Sequence, residues 1–349
     1  MISIDEAIQR LVTQAKPVTD VEEVNLHDAL GRILAENITS SLCVPPADNS
    51  AMDGYAVNID DLDHNSSRTT LNISQTITAG HPPKALQKGT AARIFTGAEI
   101  PAGANAVIMQ EQCTTHTDDN GHTHSVALPS TVAINNNIRA QGQDIQQGQQ
   151  VLPKSRCLQA QDLGLLASIG IHRVPVFRTL SVAILSTGDE LVEPGKPLSA
   201  GKIYNSNRYL LHGFLSKMGF KVVDCGRVED TLDATIHALK KAADCDCIIS
   251  TGGVSVGDED HIKDAVTALG VLDFWRIAIK PGTPVAVGSI HHPSGATPFI
   301  GLPGNPSSVF MTFLLLANPL LKALQHQHYK KPSGVHLPAN FNWKENPKR

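Results

Sequence analysis

The chain has 349 residues, more than a single hydrophobic core encloses, so two to four domains are expected. A hydrophobic share of 41% is enough to build them, while the net charge of -4 and the absence of any Lys/Arg-rich run exclude an electrostatic footprint for nucleic acid or an acidic membrane. The segment from Met1 to Glu6 has no basic stretch leading into an apolar one, and no run of about 18 apolar residues is uninterrupted, so a cytoplasmic protein without membrane partners is expected.

Ser3 and Glu6 form a capping box, and Ile4, Ile8, Leu11 and Val12 share one helical face. Leu26, Leu30, Ile33 and Leu34 repeat that spacing, which predicts a second amphipathic helix closed before Pro45-Pro46. From Met52 to about Ile138 the texture changes to short runs punctuated by Gly and Pro. Leu71–Ile73, Ala91–Phe95 and Ala106–Met109 read as strands of a small β domain. His116, His122 and His124 flank Asp118-Asp119-Asn120-Gly121, a hairpin signal, and are read as solvated tip residues rather than metal ligands. Leu163, Leu166 and Ile169 return to helical spacing, so the β domain is read as an insertion. The predicted division is a helical linker domain at 1–46 and 138–176, an inserted β domain at 47–137, an α/β domain at 177–328, and at 329–349 the first strand of a further domain, for which a frayed tail is the alternative.

From Val182 onward, strands and helices alternate: Val182–Leu185, a helix with Leu210, Phe214 and Met218, Lys221–Val223, a helix with Leu232, Ile236 and Leu239, Cys247–Ser250, and a helix to Leu269. Such alternation specifies a mostly parallel sheet covered on both faces, with ligands at the carboxyl ends of the strands. Three loops are placed there. Ser186-Thr187-Gly188-Asp189-Glu190 brings two carboxylates suited to a metal or a ribose hydroxyl, with an ion pair or helix cap as the bland alternative. Thr251-Gly252-Gly253, followed by Ser255, Gly257, Asp258 and Asp260, reads as a phosphate-holding turn with hard oxygen ligands beyond it, or as a purely steric glycine turn. Pro303, Gly304, Asn305, Pro306 and Ser308 lead into a long apolar helix whose first turn is expected to present donors to an anion. Tyr204-Asn205-Ser206-Asn207 starts another helix with several good N-caps, whose free N–H groups and dipole favour anions, and Lys280-Pro281-Gly282-Thr283-Pro284 places a cation on a stiff loop. The six cysteines show no C-x-x-C pair and no zinc spacing, so they are expected to be reduced and structural.

Taken together, Asp48 to Ala56, Arg93 to Ala98, Ile138 to Ile145, Ser186 to Leu191, Thr251 to Asp260, Lys280 to Pro284 and Gly301 to Pro306 resemble, in unbroken order, the molybdopterin molybdenumtransferase family, the bacterial MoeA-type proteins related to plant molybdenum-insertases and gephyrin. The resemblance implies an α/β multi-domain fold with a pterin-binding α/β domain. It also implies a homodimer that inserts molybdate into adenylylated molybdopterin, releasing AMP, with magnesium between carboxylates and pyrophosphate. By motif position it assigns Glu190, Glu229, Asp230 and Asp260 to the α/β domain, three of them (Glu190, Asp230 and Asp260) to the metal, and Asp53, Thr96 and Asp144 to the same cleft from a partner subunit. Lys280 and Ser308 would hold molybdate, and Arg276 would belong to the cofactor site. An adenylyltransferase upstream and molybdoenzymes downstream are the implied partners.

The sequence departs from the family pattern at Glu229, where an aspartate is usual, at Arg276 and Thr283, where lysines occur, and in an expected C-terminal β domain that has no counterpart. Two other readings remain: a sister family that adenylylates molybdopterin but lacks the inserted β domain, and a non-catalytic scaffold of the gephyrin kind.

Overall fold

The computed structural model describes residues 2–119, 121–253, 261–279, 284–331, 333–338 and 340–342. Its contacts divide the chain into two units, one of residues 1–36, 154–163 and 172–349, the other of residues 37–153 and 164–171. The predicted β insertion at 47–137 falls wholly within the second unit.

In the first unit, helix α1 (Ile4–Gln14) starts at Ser3, whose hydroxyl accepts from the Glu6 N–H at 3.1 Å. Its buried residues, Ala7 and Leu11, join the α/β core rather than a separate helical cluster. The second predicted helix does not form. Val21–Asn25 is instead a strand paired antiparallel with Arg173–Phe177, followed by a single 3-10 turn at Leu26–Asp28. Gly31 takes φ +76, a left-handed conformation that interrupts any helix through it, and Ile33 and Leu34 then bridge to Cys157 and Val176. The four apolar residues do not share a buried face, since Ile33 and Leu34 are buried while Leu30 is 61% exposed.

The α/β sheet contains β1 (Ser181–Thr187), β2 (Lys221–Val228), β3 (Cys247–Thr251), β4 (Gly270–Arg276), β5 (Pro284–His292) and β6 (Gly295–Leu302), in the spatial order β2-β1-β3-β6-β5-β4. The first four in that order pair in parallel, and β5 runs against both its neighbours. The expected mostly parallel sheet is therefore present with one reversed strand near its edge. Helix α2 (Ser206–Lys217) packs Leu211 and Leu215 on one face, and α3 (Leu232–Ala242) with α4 (His261–Leu269) packs Leu239, Ile262 and Val266 on the other. Since β2 and β3 flank β1 on opposite sides, the chain changes direction between β1 and β3. That switch point is where open α/β sheets leave a crevice.

Helix α5 (Pro306–Thr312) continues through a π turn at Phe313–Ala317 into α6 (Asn318–Leu324). This run is long and apolar enough to cross a membrane, but Val309, Phe313, Leu316, Leu320 and Leu324 pack into the α/β core. The strand expected within 329–349 is not formed among the described residues, where Val335, Leu337 and Phe341 are exposed with no strand beside them.

In the second unit, a six-stranded sheet runs in the order Ala106–Met109, Gly54–Val57, Thr90–Ile94, Arg68–Ile77, Thr123–Pro129, Thr114–Thr117. The last two strands are the predicted histidine hairpin, of which Asn120 lies outside the described residues. All six cysteines are free, and burial pushes the Cys247 thiol up to about 12, in keeping with the structural role expected for it.

At the amino end of the sheet, Arg178 donates two hydrogen bonds of 2.8 Å to Asp246, which also accepts from the Ser181 N–H (2.7 Å) and hydroxyl (2.9 Å). Burial alone would raise the Asp246 carboxyl, but these bonds outweigh it and hold the group below its ordinary value. Because the folded pKa is depressed, the stabilisation is complete above the ordinary aspartate range and is lost as pH falls through the folded value. We expect Asp246→Asn to cost roughly 2–3 kcal/mol at neutral pH, less than a fully buried pair because Arg178 is partly in water, with the gap to wild type closing below about pH 4 in denaturant titrations.

Candidate functional site

The carboxyl ends of β1, β3 and β6 lie side by side, and the loops that leave them surround a cavity of about 320 Å³. Thr187 ends β1 and Glu190 and Leu191 follow it, Thr251 ends β3 and Gly252 follows it, and Gly304, Asn305 and Pro306 come from the loop after β6. The fourth wall is Ile203 to Asn207, where a short strand at Ile203–Tyr204 pairs with Leu191–Val192 and runs into α2. The predicted convergence of loops on one rim is thus observed.

Two glycines make the geometry possible. A Cβ on Gly252, at φ +83, would stand 2.6 Å from the Thr187 carbonyl oxygen, so no other residue lets the β1 and β3 loops approach so closely. At Gly188, φ +138, a Cβ would meet the Glu190 carboxylate. Gly188 does not line the cavity; it leaves room for the carboxylate that does.

The neighbouring acids divide by partner. Asp189 faces Arg227 at 3.6 Å, the ion-pair alternative, and its carbonyl accepts from Lys202 at 2.6 Å. Glu190 is the one ionisable carboxylate among the described lining residues. Thr187 is 4% exposed and Asn207 8%, yet Thr187 Oγ1 and Asn207 Oδ1 meet no hydrogen-bond partner. Thr251 donates to the Ser186 hydroxyl at 3.4 Å, which takes Ser186 into the strand rather than the cavity.

The two helix starts differ. Asn205 caps α2 by accepting from the Arg208 N–H, and the first turn of α2 opens on the cavity with its partial positive charge. Asn205 is itself held by Glu193 (3.3 Å), which pairs with Arg208 at 2.9 Å, while Arg208 also grips Asp224 at 2.8 Å. At α5, by contrast, Asn305 accepts from both Ser307 N–H (3.0 Å) and Ser308 N–H (3.3 Å), Val309 N–H bonds the Asn305 carbonyl, and Pro306 has no N–H. The backbone donors expected there for an anion are therefore already used, and Ser308 is buried at 5% exposure.

Of the remaining expected residues, Gly253, Pro284 and the buried Pro303 do not line the cavity. Exposed Glu229 and half-buried Asp230 lie in the loop between β2 and α3, also outside its wall. Ser255, Gly257, Asp258, Asp260, Lys280 and Pro281 lie outside the described residues, as does the Arg276 side chain. Among the described residues no three His, Cys, Asp or Glu side chains are grouped to hold a metal. Ile203 lines the cavity without having been predicted to, and Leu191 does so at the end of a stretch expected to matter for its carboxylates. Tyr204 and Asn207 belong to the expected anion-favouring helix start, but there the expectation rested on backbone N–H groups and not on the Asn207 side chain.

In the second unit, Thr96 donates both its N–H and its hydroxyl to Asp53 Oδ1, each at 2.7 Å. The Thr96 N–H foremost, then its hydroxyl, and more weakly the charge of Arg93, hold the Asp53 carboxyl below its ordinary value. Arg93 lies over the rings of Tyr55 and Phe95 and donates to the Gly54 carbonyl at 3.0 Å. Asp144 is exposed on a separate turn, beside Gly142 at φ +68.

Residues 2–170 match the family model "MoeA N-terminal region (domain I and II)", and residues 183–323 match "Probable molybdopterin binding domain". The cavity lies in the second region. The chain is 42% identical to the molybdopterin molybdenumtransferase of Haemophilus influenzae over 99% of this chain and 83% of that protein. It is 39% identical to the enzyme of that name from Nostoc sp., covering 91% and 72%. The molybdopterin biosynthesis MoeA protein crystal structure from Pyrococcus horikoshii superposes with a TM-score of 0.79 at 30% identity, covering 94% of this chain and 80% of that one.

Two outcomes check this geometry. Gly252→Ala should lower stability by about 1–3 kcal/mol, measured by thermal unfolding, because the backbone of β1 cannot move aside. Thr96→Val should shift the Asp53 titration upward in an NMR pH series, though not fully to the ordinary value, since the Thr96 N–H remains.

Proposed function

The chain belongs to the molybdopterin molybdenumtransferase family, and from that premise we propose that the cavity at the β1–β3 switch point receives molybdopterin. The chain is a transferase of molybdenum cofactor biosynthesis. The observation that carries the cavity assignment is the convergence of four chain segments on one pocket whose wall holds two buried, unpartnered polar atoms, within the region matching the molybdopterin-binding model. Its substrates in this reading are adenylylated molybdopterin and molybdate, and its products are the molybdenum cofactor and AMP.

Cleaving the adenylyl phosphoanhydride needs positioning and charge neutralisation more than a strong nucleophile. The positive end of α2 supports an anionic ligand beside Asn205 and Ser206. Glu190 adds negative charge to the same wall. A hard cation would offset both that charge and the ligand's own, and carboxylate oxygens are its usual donors. By motif position the family resemblance would give magnesium to Glu190, Asp230 and Asp260, to neutralise the pyrophosphate; of these, Glu190 alone lines the cavity among the described residues. Asp53, held in position by Thr96, and Asp144 are assigned to the same reaction, in a homodimer located in the cytoplasm.

The direct assay is incubation with adenylylated molybdopterin and molybdate while AMP release is followed. Asp53→Ala and Glu190→Ala should unfold like wild type but lose about 100-fold or more in molybdenum insertion. A chelator should abolish turnover and added magnesium restore it. Full rates in both variants, or in chelator, would refute the acidic site, and molybdopterin binding without AMP release would favour the scaffold reading.

A further inference from the structure

Asn207 is more than nine-tenths buried in the first turn of α2, and its Nδ2 donates to the Gly304 carbonyl at 2.7 Å. A carbonyl can only accept, so the amide nitrogen must face Gly304, and Oδ1 is left on the other side with no donor. A buried acceptor without a donor is costly, and the cost ends when a ligand brings an N–H or O–H to it.

The rest of the wall restricts what that ligand group is. The described lining residues include no Lys, Arg or His, and Glu190 contributes a carboxylate. An ionised phosphate oxygen placed against Asn207 Oδ1 would set lone pair against lone pair. Leu191, Ile203 and Tyr204 give the cavity apolar surface suited to a flat ring. The Thr187 hydroxyl, also unpartnered, can turn to donate or accept and so tolerates either kind of neighbour.

We propose that Asn207 is a specificity-determining residue of the cavity: its Oδ1 accepts from an uncharged donor edge of the ligand, an amino, ring N–H or hydroxyl group, and so decides which part of the molecule enters. The inference rests on the cavity being the molybdopterin site and adds the group that is read there. Gly304 holds the amide in place, so the selection is built into the apo protein.

The test uses the full chain, three probes and three proteins. The probes are 6-hydroxymethylpterin, which carries donors without phosphate or ribose, AMP, which carries ribose hydroxyls and an adenine amino group, and inorganic sulfate, a tetrahedral anion that carries no hydrogen-bond donor. The proteins are wild type, Asn207→Leu, which keeps the bulk without the acceptor, and Asn207→Asp, which keeps an acceptor but gives up the bond to Gly304 and adds a charge; Asn207→Ala replaces the leucine variant if that one fails to fold. For whichever donor-bearing probe the wild type binds, the leucine variant should bind about tenfold or more weakly and the aspartate variant within a few-fold. Any affinity for sulfate should be the same in wild type and the leucine variant, and lower in the aspartate variant through its added charge. Sensitivity confined to the pterin identifies the heterocycle edge, and sensitivity confined to AMP identifies the nucleoside. Equal affinity in wild type and the leucine variant overturns the proposal, as does equal loss in the leucine and aspartate variants, which would leave only the bond to Gly304. Failure of the wild type to bind either donor probe would reject the cavity assignment itself, and this inference with it.

Discussion

The site depends on one close approach. The backbone at Gly252 passes so near the Thr187 carbonyl that a single added carbon would stand 2.6 Å from the oxygen. β1 and β3 are adjacent parallel strands, so the loops leaving them emerge on the same rim, and only a residue without a side chain lets them do so almost in contact. The loop after β6 extends this arrangement, since Gly304 lies under Gly252, where a Cβ would be 3.8 Å from its Cα. Strand order, loop chemistry and cavity are consequences of one another here, and the steric and the ligand-binding readings of the glycine turn are not alternatives. The turn is tight for steric reasons, and the tightness is what shapes the wall.

Much of this was legible in the residues because parallel strands buried on both faces write themselves as apolar runs with polar loops at their ends. Val182 to Leu185 and Cys247 to Ser250 are of this kind, and Thr187, Glu190, Asn205, Thr251, Gly252 and Asn305 followed from their positions at the ends. The failures have physical causes of their own. The spacing of Leu26, Leu30, Ile33 and Leu34 satisfied a helical period, but Gly31 adopts a left-handed conformation and strand partners from 173–177 compete for the backbone. Periodicity reports which residues can share a face and is silent about a partner 150 residues away. Asp189 and Glu190 are equivalent in sequence, and only the placement of Arg227 separates the ion pair from the cavity wall.

For Asn207 the helix start was legible and the side-chain role was not, for a related reason. Nothing local says that the carbonyl of a loop almost 100 residues later will fix its amide. The bond between Asp53 and Thr96 likewise joins two turns of the second unit that are far apart in sequence, and only resemblance to a family placed them in the same sentence. Where a functional group is defined by a tertiary contact, sequence position gives its neighbourhood and the fold gives its orientation.

The Asn305 cap has an effect beyond stabilising α5. By occupying the N–H groups of Ser307 and Ser308 it silences one helix terminus at the cavity, while the terminus of α2 on another wall stays electrically live. The pocket is therefore polar in the sense that a socket is keyed. A molecule with one charged and one neutral end finds a single low-energy way to lie in it, and the amide of Asn207 sets which end meets that wall.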